Sequence, residues 1–145
     1  MTGGSSVTLR GVTPRLPVRD LAKSLQFYRD VLGFTDDVLW PDDEPTFAIV
    51  RRGGAHIGLF TGDRAGPEQR GYVELYIEVD DATALHDELE PRWPIAWGPE
   101  VYSYGRREFA VIDPDGYMVI ITEPTDDPPT TAEPDAEDCS RWGET

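Results

Sequence analysis

Apolar and polar positions change period repeatedly along this chain. Leu21, Leu25, Tyr28 and Leu32 step by four, three and four, which is one face of a helix. Asp20 can cap its start and Gly33 can end it in the C′ position, so the pattern predicts a helix over about 20–32. Residues 12–18 read as a strand that Pro14 and Pro17 confine to an edge or to irregular pairing. Three more strands are expected at 34–40, 46–51 and 55–60, parted by a Pro- and Asp-rich turn at 41–45 and by Gly53-Gly54. Residues 61–70 carry no period and read as a linker. The pattern then resumes with a strand at 72–79. Asp80 or Asp81 caps a short helix that turns Ala82, Leu85 and Leu89 inward, and Pro91 and Pro94 break it. A weak strand lies at 95–97. Last come two β-rich runs, 108–112 and 117–122, around Asp113-Pro114-Asp115-Gly116. Pro presets φ and Gly accepts positive φ, so these four residues predict a hairpin turn.

Strand–helix–three strands therefore occurs twice. The expected organisation is an arm at 1–11, a first βαβββ module at 12–60, a linker at 61–71, a second module at 72–124 and a tail at 125–145. This is an α+β chain whose two like modules must pair to bury their faces, enclosing a cleft or partial barrel. The tail is rich in Pro, Asp, Glu and Thr and reads as disordered.

The net charge is −15. Residues 123–145 hold eight acidic residues against one Arg, so the body before them still carries −8. That balance disfavours nucleic acid and anionic membrane as partners, since both need a basic footprint. It would attract a cation, or serve solubility alone. No apolar run has membrane-spanning length, and residues 1–6 are small and polar, unlike a secretory leader. The lone Cys139 fits a reducing, cytoplasmic setting.

Residues 16–34, with Leu16-Pro17-Val18-Arg19-Asp20 opening the first helix and Phe27-Tyr28-Arg29-Asp30-Val31-Leu32-Gly33-Phe34 closing it, resemble the vicinal oxygen chelate fold. Glyoxalase I, extradiol dioxygenases, fosfomycin resistance enzymes and bleomycin resistance proteins share that fold. Phe47-Ala48-Ile49-Val50, Ile77-Glu78-Val79-Asp80-Asp81, and Arg107-Glu108-Phe109-Ala110-Val111 before Asp113-Pro114-Asp115-Gly116 are most similar to the bleomycin resistance branch. The family's metal ligands would fall at Thr13, Gly58, Glu74 and Ile120. Only Glu74 among them is a strong ligand, and a metal needs several converging donors. His56, two residues before Gly58, could join Glu74 in a two-ligand site. His86, on the second helix, reads as solvated or structural. The resemblance thus implies no cofactor, and a binder in place of an enzyme. The alternative is a metal-dependent lyase, dioxygenase or thiol transferase; a third reading is a partner domain that acts through its acidic tail.

Strand alternation sets Glu74, Tyr76 and Glu78 on one face, with Leu75, Ile77 and Val79 beneath the helices. Thr13, Arg15 and Pro17 share that exposure on the first strand, as do Met118, Ile120 and Thr122 on the last. Two glutamates beside a tyrosine make a wall for a planar or cationic molecule, unless an Arg pairs with them. The resemblance adds Phe47 and Tyr104 as stacking residues, and Asp37, Thr61 and Gly116 as groove positions. Tyr104 stands where the family has Trp, and one extra Arg follows it. It implies a homodimer that binds its ligand in grooves between subunits. Phe47 and Tyr104 could equally be packing residues. Trp93, Trp97 and Tyr102 could form a lid or simply pack.

Overall fold

A computed structural model of the chain describes residues 5–61 and 73–131. The expected linker and most of the tail lie outside the described residues. The first module runs β1 (Arg15–Pro17), α1 (Leu21–Gln26), a π-helical turn (Phe27–Val31), β2 (Thr35–Trp40), β3 (Phe47–Arg52) and β4 (Ala55–Phe60). The second runs β5 (Glu74–Glu78), α2 (Ala82–Leu89), β6 (Trp97–Tyr102), β7 (Arg106–Ile112) and β8 (Met118–Pro124). Each module forms a four-stranded sheet, in the orders β1-β4-β3-β2 and β5-β8-β7-β6. The first strand of each module pairs parallel with the last, and the other pairings are antiparallel. This is the glyoxalase and bleomycin-resistance βαβββ arrangement, twice over, without a closed barrel.

Both caps follow from side-chain chemistry. Asp20 accepts from the backbone N–H of Lys23 (3.2 Å), and Asp81, not Asp80, accepts from that of Ala84 (3.0 Å). The first helix is shorter than its period predicts, because its last turn widens: the Leu32 N–H donates to the Phe27 carbonyl (3.2 Å). The widened turn carries Phe27 and Tyr28, adjacent in sequence, into the core together with Val31 and Leu32.

Alternation along the strands builds the core. Leu16, Ala48, Val50, Ile57 and Leu59 of the first sheet meet α1, while Leu75, Phe109, Val111, Val119 and Ile121 of the second face α2, in one continuous cluster. Each large side chain buried there contributes about 1.5–3 kcal/mol. The opposite faces carry the intervening residues.

The Asp113–Gly116 turn closes the β7–β8 hairpin as expected, with Ile112 opposite Met118 and Gly116 at φ +91°. It also joins the modules. Tyr28 donates its hydroxyl to Asp113 (2.7 Å) and Ser24 donates to Asp115 (3.1 Å). The Arg19 backbone N–H donates to Asp115 (3.0 Å), and Tyr117 donates its hydroxyl to the Pro17 carbonyl (2.7 Å).

Two expectations need correction. The weak strand expected at 95–97 is β6, which runs from Trp97 to Tyr102, so of the two roles open to these residues they take the packing one, at the two ends of a strand. Gly98 explains why: a register shift between Trp97 and Glu100 presses the backbone onto β7, and a Cβ at Gly98 would stand 2.4 Å from the Glu108 carbonyl oxygen. Trp93 packs edge-on against Phe27 and donates to the Ile112 carbonyl (2.8 Å), so it too belongs to the core. The acidic segment, moreover, does not leave the body at Pro124. The Thr125 N–H donates to the Gly105 carbonyl (2.9 Å), the Thr130 N–H donates to the Val101 carbonyl (2.9 Å), and Arg107 pairs with Asp127.

Candidate functional site

Two surfaces and one cleft stand out. The second sheet's open face carries Tyr76 on β5, Glu108 on β7 and Thr122 on β8, brought near one another by the pairings Tyr76 with Ile120 and Glu108 with Thr122. Tyr104 reaches the same group from the β6–β7 turn. Glu108 is only 3% exposed. One of its oxygens accepts from the Tyr104 hydroxyl (2.7 Å) and the other from the Tyr76 hydroxyl. Thr122 donates in turn to the Tyr76 oxygen (3.2 Å). Both tyrosines are nevertheless 54% exposed, so their hydroxyls are tied down while much of each ring stays open. Tyr104 lies flat against Tyr102, with centroids 5.5 Å apart and planes 3° apart. Burial first, and Glu108 second, push the phenol pKa of Tyr76 and of Tyr104 upward, so both stay protonated donors. Below them Ala110, Met118 and Ile120 form a small apolar cluster with Ala96 and Trp97 packed against it.

The first sheet's open face is different in kind. Phe47 and Phe60 sit opposite one another across the β3–β4 hairpin. The Arg15 guanidinium stands 5.1 Å from both ring centroids, a cation–π arrangement. Arg15 therefore covers aromatic rings instead of neutralising Glu74. Trp40 and Val38 extend this face and are exposed.

Between the modules lies a cleft of about 870 Å³, within the range of small-molecule sites. His56, Arg52 and Glu88 contribute to its lining, as does every residue of β5 from Glu74 to Glu78. Tyr76 thus belongs to both the cleft and the Glu108 group.

The expected site residues consequently divide. Glu74, Tyr76 and Glu78 share a face and line the cleft. Phe47 and Tyr104 lie on separate sheets, and no ring contact joins them among the described residues. Asp37 sits at a β2 irregularity within 3.8 Å of the Arg51 guanidinium. Glu78 pairs with Arg106 (2.8 Å). These two carboxylates are therefore not bare anions. Thr61, just past β4, donates its backbone N–H to Thr46 (2.9 Å), and Gly116 belongs to the turn that joins the modules. Glu108 and Phe60 went unassigned from the sequence. The hairpin register offered a signal, since a turn at 113–116 sets Glu108 opposite Thr122, and a turn at Gly53-Gly54 sets Phe60 opposite Phe47.

Among the described residues, the family's ligand positions do not assemble a metal site. At those positions Ile120 is apolar and buried and Gly58 has no side-chain donor, and a Cβ at Gly58 would meet Arg15 Cγ tightly at 3.1 Å. His56 and Glu74 share the cleft, yet no group of three or more His, Cys, Asp or Glu gathers to hold an ion among the described residues. His86 packs edge-on against Phe109 between Asp87 and Glu90, a structural role. No helix among the described residues is long and apolar enough to cross a membrane.

Comparison with known proteins gives a consistent picture. Residues 10–121 match the model of the Glyoxalase/Bleomycin resistance protein/Dioxygenase superfamily. A bleomycin resistance protein of Geobacillus stearothermophilus is 28% identical over 123 residues, covering 73% of this chain and 90% of that protein. The bleomycin-binding protein of bleomycin-producing Streptomyces verticillus, solved with copper(II)-bleomycin, is 27% identical with a TM-score of 0.64, covering 83% of this chain and 99% of that one. TnmS3, an antibiotic binding protein from Streptomyces sp. CB03234, is 26% identical with a TM-score of 0.66 over the same shares, 83% and 99%.

Proposed function

This chain belongs to the Glyoxalase/Bleomycin resistance protein/Dioxygenase superfamily, and from that premise we propose that it captures a planar, cationic antibiotic or metabolite without making or breaking a bond. The observation that carries this reading is the half-exposed pair Tyr76 and Tyr104 seated over the buried carboxylate of Glu108. Flat rings gain contact area by stacking on such a surface, and the carboxylate beneath favours positive charge above it. The names of the relatives from Streptomyces verticillus and Streptomyces sp. CB03234 support a small-molecule ligand of this kind.

Phe47 and Tyr104 occupy different sheets, and a second copy that lays its first sheet beside this copy's second would let one ligand meet both. In this reading the protein works in the cytoplasm as a homodimer with the ligand between subunits. Arg15 is part of that wall: its guanidinium and Phe47 form a layer on which a flat ring can lie. Glu74 borders the cleft and supplies charge; Glu78 and Asp37 do so less, because each meets an Arg. Thr61 and Gly116 set the margins of the groove.

Thermal unfolding tests the reading. A ligand at one hundred times its dissociation constant adds about 2.7 kcal/mol of stability. Bleomycin and other flat cationic antibiotics should raise the melting temperature of the parent, and the Phe47→Ala, Tyr104→Ala protein should lose that shift. Equal protection of parent and variant by every such ligand would place the site elsewhere. Stoichiometric metal in protein purified without chelator would instead favour chemistry at His56 and Glu74.

A further inference from the structure

The hydrogen-bond directions around Glu108 carry more than a general preference for cations. A carboxylate only accepts, and a phenol has one O–H to donate. Tyr104 donates to one carboxylate oxygen and Tyr76 to the other. Each phenol has thereby committed its only proton to the buried group. What remains on the two phenol oxygens is acceptor capacity: two lone-pair sites on the Tyr104 oxygen, and fewer on Tyr76, which also accepts from Thr122. Among the described residues, no Lys or Arg lies within ion-pairing distance of Glu108. Arg106, the residue two before Glu108, is taken up by Glu78 at 2.8 Å.

We infer that Glu108 is a specificity-determining residue that locks Tyr76 and Tyr104 as paired acceptors. The second sheet's face then selects flat aromatic ligands bearing N–H donors, such as amidinium, guanidinium or primary ammonium groups, over equally charged ones that lack them. The physical reason is directional. A donor-bearing cation completes the phenol lone pairs with charge-assisted hydrogen bonds, whereas a quaternary cation leaves them desolvated and unmet. Stacking alone treats the two alike. This inference rests on the binding reading above, and it names that ligand's functional group.

Two probes of the same charge and similar outline separate the ideas: 2-naphthamidine, with four N–H donors, and N-methylquinolinium, with none. Isothermal titration against the parent should show the amidine at least about tenfold tighter, the margin that hydrogen bonds to a charged group supply. In Glu108→Gln one side of the new amide donates, so one phenol turns its proton outward, and the ratio should fall toward one. The loss of one negative charge acts on both probes equally and leaves the ratio untouched. A tyrosine absorbance titration on the same variant should show phenols ionising at lower pH than in the parent, which reports the broken lock independently of any ligand. Tyr104→Phe keeps the stacking ring and should also collapse the ratio, which covers a Glu108→Gln protein that fails to fold. If the parent binds both probes equally, or if the ratio survives in Glu108→Gln and Tyr104→Phe, the inference falls while capture of flat cations stands. If the parent binds neither probe, both fall.

Discussion

Asp113 offers a direct test of how burial and hydrogen bonding compete at the joint between the modules. Its carboxylate is 4% exposed. One oxygen accepts from the backbone N–H groups of Asp115 and Tyr117 (2.9 Å each), and the other from the Tyr28 hydroxyl (2.7 Å). Those bonds favour the ionised form; burial disfavours it and wins, pushing the pKa from 3.8 up to about 6, with the neighbouring Asp115 adding to the rise. A group whose pKa is raised by folding binds its proton more tightly in the native state. Its stabilising contribution is therefore complete below the unfolded value and is lost as pH rises through about 6. At about 1.4 kcal/mol per pH unit, the whole effect is about 3 kcal/mol. Asp113→Asn keeps an acceptor for the two backbone N–H groups and cannot titrate. Urea unfolding of both proteins, followed by tryptophan fluorescence from about pH 4 to about pH 7.5, gives the difference in stability and cancels every other carboxylate. Parent minus variant should fall by about 2.4 kcal/mol across that range and then level off, the rest of the effect lying below about pH 4. A difference that stays level or climbs with pH would refute the reasoning, for it would mean that the three hydrogen bonds outweigh burial and that Asp113 is ionised throughout.

Gly98→Ala should be among the most damaging single substitutions. Its Cβ would meet the Glu108 carbonyl oxygen at 2.4 Å and Phe109 Cα at 2.8 Å, at a φ of +83°. A loss of more than about 2 kcal/mol in urea unfolding is expected, against about 1 kcal/mol for Gly53→Ala, whose Cβ meets nothing. Ending the chain after Pro124 should lower stability by about 1–2 kcal/mol, since it strips the Thr125 and Thr130 hydrogen bonds and the Asp127 partner of Arg107. The shortened chain should keep its ligand protection.

The local periods in the sequence determined much of this protein. A four-three-four step makes Leu21, Leu25 and Tyr28 one helical face, and a two-residue alternation puts Leu75 and Ile77 opposite Tyr76 whatever lies nearby. Gly53-Gly54 and Asp113–Gly116 fix hairpin registers, so the repeated module and the residues sharing each face are already written in one dimension. Tertiary structure alone decided what the polar groups meet. Glu78 finds Arg106, Asp37 finds Arg51, Arg15 settles over Phe47 and Phe60, and the Asp113 turn docks on the first helix. The reason is range: a helix or strand repeats over a few residues, whereas an ion pair, a stacked ring or a buried carboxylate joins positions that only the packing of the two modules brings within reach.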